Sequence, residues 1–202
     1  MKKAILLSAL LAFAPFESPM ANLLRNADFE AGPGDKEIYP FYETPEWYNP
    51  AAGGANKAMG VNARATEGSM EGSTYSATVN DREKEISFFS QKTEHSIEEG
   101  EVFELSLAWK AGWQWKPEDV LRVVIFAKAG NTLGGETVWE ETVDFERAPT
   151  GSWEQVAHTF QPASPEAAGK TLFFSFLGVD PQQAGVTGFA RVDNIVLTVK
   201  PK

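Results

Sequence analysis

Two tryptophans flank a glutamine and precede a lysine in the run Trp113-Gln114-Trp115-Lys116. A flat indole can stack on the apolar face of a pyranose ring, while Gln114, Lys116 and the nearby Arg122 carry hydrogen-bonding groups suited to hydroxyls. Covering 60–100 Å² in this way is worth roughly 1.5–2.5 kcal/mol. Binding built on such contacts falls in about the micromolar to millimolar range. The run lies in a link between two strand-like segments, and links travel over the surface. The competing account is that Trp113 or Trp115 folds back and closes the end of the domain. A second aromatic group, Tyr39, Phe41, Tyr42, Trp47 and Tyr48, occupies a stretch rich in Pro and Gly over 32–55. Tyr39 and Tyr42 suit a platform there, stiffened by Pro40 and Pro45.

Residues for bond-breaking chemistry are harder to find. The sequence has no Gly-x-Ser-x-Gly, no His-Glu-x-x-His and no phosphate-binding glycine loop. Its two histidines, His95 and His158, have no adjacent partner that marks a base; His95 suits a solvated turn and His158 a strand. Glu140 and Glu141 are neighbours in a strand-like run and so point to opposite faces, a poor geometry for paired acid and base. No cysteine is present, which removes disulfides, thiolate zinc sites and thiol nucleophiles. These absences point away from an enzyme, although the many carboxylates leave a glycosidase compatible with composition. With 18 basic against 28 acidic residues and a net charge of −10, the chain lacks the basic face that nucleic acid requires.

The elements that must position these residues are strands. From Asn22 onward the hydrophobic period is two: Phe103, Leu105, Leu107 and Trp109 alternate with Glu104, Ser106, Ala108 and Lys110. Similar runs cover 59–64, 75–79, 120–127, 137–145, 153–160, 171–177 and 191–199. Leu172, Phe174 and Phe176 share one face of their run and Phe173 and Leu177 the other, the pattern of a strand covered on both sides. Turn residues separate the runs at short intervals, leaving no room for crossover helices. One helical turn is expected over 164–168, with Ser164 as cap, Pro165 at the first position and Gly169 as the stop. The result is an all-β class: a single antiparallel two-sheet sandwich over 22–202, whose long stretch 32–55 is a place for function.

Ahead of it, Lys2 and Lys3 precede an unbroken apolar run over 4–14. This reads as a signal peptide over 1–21, too short to span a bilayer. The expected product is secreted or periplasmic, with no membrane span, and the Lys-Lys start without disulfides suits a bacterium.

Three stretches then line up with one pattern. The opening Asn22-Leu23-Leu24-Arg25-Asn26-Ala27-Asp28-Phe29-Glu30 resembles the start of the galactose-binding-like jelly rolls, a superfamily that includes many carbohydrate-binding modules. Gln91 to Gly100 followed by Phe103 to Lys110 is similar to its central strand pair, and Gly151-Ser152-Trp153 with Arg191-Val192-Asp193-Asn194-Ile195-Val196-Leu197 to its closing elements. The resemblance implies a jelly-roll β-sandwich with its terminal strands side by side. It places Trp47, Trp109 and Trp153 at framework positions. It also implies a structural Ca²⁺ held by Glu30 and Asp193, with Asp28 as an addition; the alternative is that these carboxylates accept hydrogen bonds from loop amides without an ion. The function implied is a non-catalytic carbohydrate-binding-like module contacting a poly- or oligosaccharide through Trp113, Gln114, Trp115, Lys116, Arg122, Tyr39 and Tyr42. The alternative is a structural or adhesive protein that uses the same sandwich against an envelope protein partner, and a polysaccharide lyase or hydrolase is a third class.

Overall fold

A computed structural model describes residues 20–31, 45–48, 62–63, 68, 73–81, 88–132, 134–146, 151–162, 165–182 and 187–200. The expected signal segment, Tyr39 and Tyr42 lie outside these residues. Among the described residues nine strands run in chain order: β1 Asn62–Ala63, β2 Ala77–Asn80, β3 Phe88–Ser96, β4 Phe103–Ala111, β5 Val120–Lys128, β6 Thr137–Glu146, β7 Glu154–Phe160, β8 Thr171–Val179 and β9 Phe189–Val199. They form two antiparallel sheets, ordered β1-β2-β9-β4-β7 and β3-β8-β5-β6. The fold is an antiparallel β-sandwich, as the alternation predicts, with the jelly-roll arrangement that the resemblance implies. The expected helical turn is a single 3-10 turn at Pro165–Ala167. No helix among the described residues is long and apolar enough to cross a membrane.

Alternation fixes which faces meet. In β4, Phe103, Leu105, Leu107 and Trp109 are all buried between the sheets. In β9 the inward set is Ala190 and Val192, then Ile195 and Leu197, which changes parity in mid-strand. A bulge explains the change: Ser106 pairs with Val196 and Ala108 with Asp193, so Leu107 faces two residues of β9. Asn194 takes the left-handed conformation there, φ 48°, which Asn tolerates better than most residues. Asp193-Asn194 is thus the kink that keeps both halves of β9 in register with the core.

The chain's first described segment lies beside its last strand. Leu23 N donates to Leu197 O at 2.8 Å and Ile195 N to Ala27 O at 3.0 Å. Asn22 completes the pairing: its Oδ1 accepts from Leu197 N at 3.0 Å and its Nδ2 donates to Ile195 O at 2.7 Å. The expected neighbourhood of the termini is present, but 22–30 runs through bends and a turn instead of forming a strand. Positive φ at Asn26 and Phe29 breaks the extended conformation, and the bend sends Phe29 into the core.

The two sheets nearly touch at one end. A Cβ added at Gly178, at the end of β8, would lie 2.3 Å from Asn80 O and 2.7 Å from Asn80 C. Both obstacles are backbone, so they cannot rotate away. Gly178→Ala is expected to destabilise the chain by about 1–3 kcal/mol. Urea unfolding measures it, and an unchanged midpoint would contradict this close approach.

Candidate functional site

The outer face of the β3-β8-β5-β6 sheet carries a groove of about 410 Å³. One wall begins with a short extension of the sheet edge. Tyr48 N donates to Ser90 O at 2.7 Å and Ser90 N to Tyr48 O at 3.0 Å. Neighbouring extended residues point to opposite faces. Trp47 therefore enters the core, where Nε1 donates to Asn26 O at 2.9 Å, whereas Tyr48 stands outside and is 51% exposed. The doublet Phe88-Phe89 splits in the same way: Phe89 is buried, and Phe88 lies beside Tyr48 with ring centres 6.1 Å apart.

The floor is low because small side chains meet across the strands. Ser90 pairs with Ser175 and Ser175 with Val124. Both hydroxyls are spent on backbone, Ser90 Oγ donating to Phe174 O at 3.1 Å and Ser175 Oγ to Phe89 O at 2.9 Å. The far wall is Phe126, stacked on Phe173 at 5.3 Å, with Lys128 Nζ 5.5 Å from the Phe126 ring centre. Lys128 Nζ donates to Gly135 O at 2.9 Å and to Thr137 Oγ1 at 3.2 Å, which uses two of its three hydrogens. Glu140 sits across from Phe126 on β6, exposed. The groove thus offers the rings of Tyr48 and Phe88 and the rim of the mostly buried Phe126 beside an ammonium, a hydroxyl and a carboxylate. A larger depression of about 570 Å³ on the outer face of the other sheet, over Glu104, Ser106, His158 and Val196, has no Phe, Tyr or Trp among its lining residues.

A second concentration of chemistry closes one end of the sandwich. Asp81 follows β2, Asp119 precedes β5 and Asp180 follows β8, and all three are buried. Oxygens of the three lie within 4.8 Å of one another, an arrangement that can hold a metal ion. Gly188 N donates to both Asp81 oxygens at 2.8 Å, Lys116 N to Asp119 Oδ2 at 2.6 Å, Gln182 N to Asp180 Oδ1 at 2.9 Å, and Lys116 Nζ to Asp180 Oδ2 at 3.0 Å. A Cβ at Gly188 would lie 2.5 Å from Asp81 Oδ2 and 2.8 Å from Trp115 Cα, so only glycine allows this approach. Burial pushes the Asp81 carboxyl up to about 6, against the Gly188 N–H, with a side-chain hydrogen bond to Asp119 and the Asp119 and Asp180 charges adding to the rise. Burial also raises Asp119, while the contact with Asp180 raises Lys116.

The Asp81 shift has a sign that can be measured. The unfolded carboxyl ionises near 3.8 and the folded one near 6, so the folded chain holds the extra proton between these values. This contribution to stability is full below pH 3.8 and is lost as pH rises through about 6, roughly 3 kcal/mol in all. With chelator present, Asp81→Asn is expected to flatten that slope and to exceed the native chain in stability above pH 6. Thermal midpoints across pH check this; parallel native and variant curves would contradict it.

The residues singled out from the sequence part company in space. Trp113 is 70% exposed, its ring stacked on Phe189 at 5.9 Å. Backbone bonds hold it there: Gly112 N to Phe189 O at 2.8 Å and Phe189 N to Trp113 O at 3.0 Å. Gln114 is exposed and left-handed, φ 58°. That turn reverses the next residue: Trp115 is 2% exposed and packs edge-on against Trp109, so it is a core residue and not a platform. Lys116 is committed to Asp180, and Arg122 is fixed to Asp144 by two contacts of 2.7 Å. Trp153 is half-buried, not fully in the core. His95 is not a solvated turn residue: it ends β3, with Nε2 2.8 Å from Glu101 Oε2 and its ring edge on Phe103.

Glu30 and Asp193 do come together, through Ser73. Ser73 Oγ lies 3.1 Å from Glu30 Oε1 and 2.9 Å from Asp193 Oδ2. Glu30 Oε1 also accepts from Thr74 N at 2.6 Å and Tyr75 N at 2.8 Å, and Asp193 Oδ1 from Asn194 N at 2.7 Å. Asp28 is exposed and accepts from Glu30 N at 3.3 Å. These partners are N–H and O–H donors, the kind the ion-free alternative calls for. Among the described residues, the group of three carboxylates close enough to share an ion is Asp81, Asp119 and Asp180.

No family model matches the sequence, and no curated protein matches it. Solved structures do. The Stig cyclase FisC of Fischerella sp. TAU, in complex with (3Z)-3-(1-methyl-2-pyrrolidinylidene)-3H-indole, matches 91% of this chain and 99% of its own with TM-score 0.61 and 16% identity. The CBM22-1 xylan-binding domain of Paenibacillus barcinonensis Xyn10C matches 79% and 90% with TM-score 0.53 and 18% identity. The enzymatically active domain of tailspike protein 4 of bacteriophage CBA120 matches 89% of this chain and 21% of its own with TM-score 0.56 and 13% identity. The fold is therefore a jelly-roll β-sandwich of the kind seen both in a xylan-binding domain and in cyclases. The expectation that the chain is no enzyme is corrected on that ground: cyclases share the whole sandwich, so missing hydrolase motifs do not exclude catalysis.

Proposed function

We propose that this chain is an exported carbohydrate-binding protein that holds a poly- or oligosaccharide in the groove across β3, β8, β5 and β6. The observation that carries the proposal is the exposed Tyr48 ring beside Phe88, facing Phe126 over a floor of serines. Aromatic faces set at the sides of a trough receive the apolar faces of sugar rings, while Lys128, Thr137 and Glu140 meet hydroxyls. The volume lies within the usual range of ligand sites, about 300–1,000 Å³. The shared fold with a xylan-binding domain supports the substrate class. Trp113 on Phe189 is a separate exposed aromatic pair at the end of the sandwich and serves as the control surface.

Affinity electrophoresis against a panel of plant and bacterial polysaccharides tests this, with product analysis on the same samples to read whether bound sugar is also cleaved. Retardation by at least one polysaccharide, weakened by Tyr48→Ala and Phe88→Ala, is expected. No retardation on any polysaccharide, or retardation indifferent to both changes, would overturn the groove as a sugar site.

A further inference from the structure

We propose that Asp81, Asp119 and Asp180 form a divalent-cation site of calcium type, tying the two sheets together at the end of the sandwich. The carboxylate oxygens lie within 4.8 Å of one another. Opposed ligands of a calcium ion are about 4.6–5.2 Å apart, twice the usual calcium–oxygen distance. An all-oxygen set suits calcium or magnesium and not zinc, which favours nitrogen and sulfur. Magnesium requires shorter distances and a near-ideal octahedron, which three carboxylates fixed by loop amides do not readily supply.

An independent observation points the same way. Asp119 is fully buried, yet its Oδ1 has no hydrogen-bond donor. The donors that reach the three carboxylates lie on other oxygens: Lys116 N on Asp119 Oδ2, Gly188 N on Asp81, Lys116 Nζ on Asp180. A buried carboxylate oxygen without a donor is strongly unfavourable, and a cation is the partner it lacks. Charge agrees: three carboxylates against the Lys116 ammonium leave two negative charges for one divalent ion. The ligands come from the ends of β2 and β8 and the start of β5, and Gly188 leads into β9, so an ion there joins elements of both sheets.

The test is calorimetric titration of the chelator-treated chain at neutral pH with CaCl₂ and, separately, MgCl₂. One calcium per chain is expected, bound at least roughly tenfold more tightly than magnesium. Saturation should raise the thermal midpoint by roughly 5–10 °C. Asp119→Asn still accepts from Lys116 N but loses the charge, and should weaken calcium about a hundredfold. Glu30→Gln should leave it unchanged, which separates this site from the one near the first segment. Should Asp119→Asn lose its near-ultraviolet circular dichroism, Tb³⁺ on the native chain decides: the Trp115 backbone lies against Gly188, which keeps its indole within energy-transfer range of the aspartates, so indole-sensitised emission should appear and be displaced by calcium. No calcium binding, binding that survives Asp119→Asn, binding lost in Glu30→Gln, or Tb³⁺ without sensitised emission would each overturn the site.

Discussion

Phe176→Ala is expected to lower the unfolding free energy by about 3–5 kcal/mol, the upper range for a buried aromatic truncation. Phe176 stacks on Phe89 at 4.9 Å, meets Trp47 edge-on at 5.6 Å and Phe29 at 6.3 Å. Trp47 in turn contacts Phe29 at 5.5 Å and Phe174 at 6.1 Å. All five rings are buried. Phe29 and Trp47 come from the first segment and the 45–48 edge, the others from β3 and β8. Removing Phe176 therefore empties the point where four stretches of chain converge, and rigid neighbours cannot collapse fully into the gap. Val196→Ala, on the exposed side of β9, should stay within about 0.5 kcal/mol. Urea denaturation distinguishes them; a loss below about 1 kcal/mol for Phe176→Ala would contradict this packing.

Tyr48→Ala carries the largest expected effect on binding. Losing one stacking face of 60–100 Å² removes roughly 1.5–2.5 kcal/mol, a fall in affinity of about 10- to 70-fold. Folding should be unaffected, because the Tyr48 ring is half exposed and the two backbone bonds to Ser90 survive truncation. Trp113→Ala removes a more exposed ring but should leave groove affinity unchanged. Titration of the retained polysaccharide or its oligosaccharides measures both. Equal losses in the two variants, or a loss confined to Trp113→Ala, would move the site to the end of the sandwich.

Much of the sandwich is legible in the chain. The period of two in β4 and β8 and the turn residues between runs follow from side-chain patterning, and the place of the opening beside β9 from the resemblance. What patterning cannot do is choose a face for adjacent aromatics. Phe88-Phe89 and Trp47-Tyr48 each send one ring inward and one outward, and which goes where depends on cross-strand partners far along the chain. The groove is illegible for that reason: its aromatics lie in or beside strands, where patterning leaves the face of each ring open. Trp113 and Trp115 would share a face in a strand, but the left-handed Gln114 between them separates exposed from buried.

Lys116 and Arg122 look like ligand groups until the carboxylates that hold them, Asp180 and Asp144, are seen across the fold. Asp81, Asp119 and Asp180 were invisible because aspartate at a strand end is ordinary turn chemistry. One signal was there: each sits directly beside a strand, in the runs Asn80-Asp81, Asp119-Val120 and Val179-Asp180, at junctions that antiparallel connection brings to one end.

The most direct measurement of the groove is amide chemical-shift mapping with the retained oligosaccharide on the isotope-labelled chain. Perturbations should centre on Tyr48, Phe88, Phe126, Lys128 and Thr137, with Trp113 and Phe189 unmoved. Shifts centred on Trp113 and Phe189, or on the β4-β7-β9 face over His158, would show that the sugar binds elsewhere.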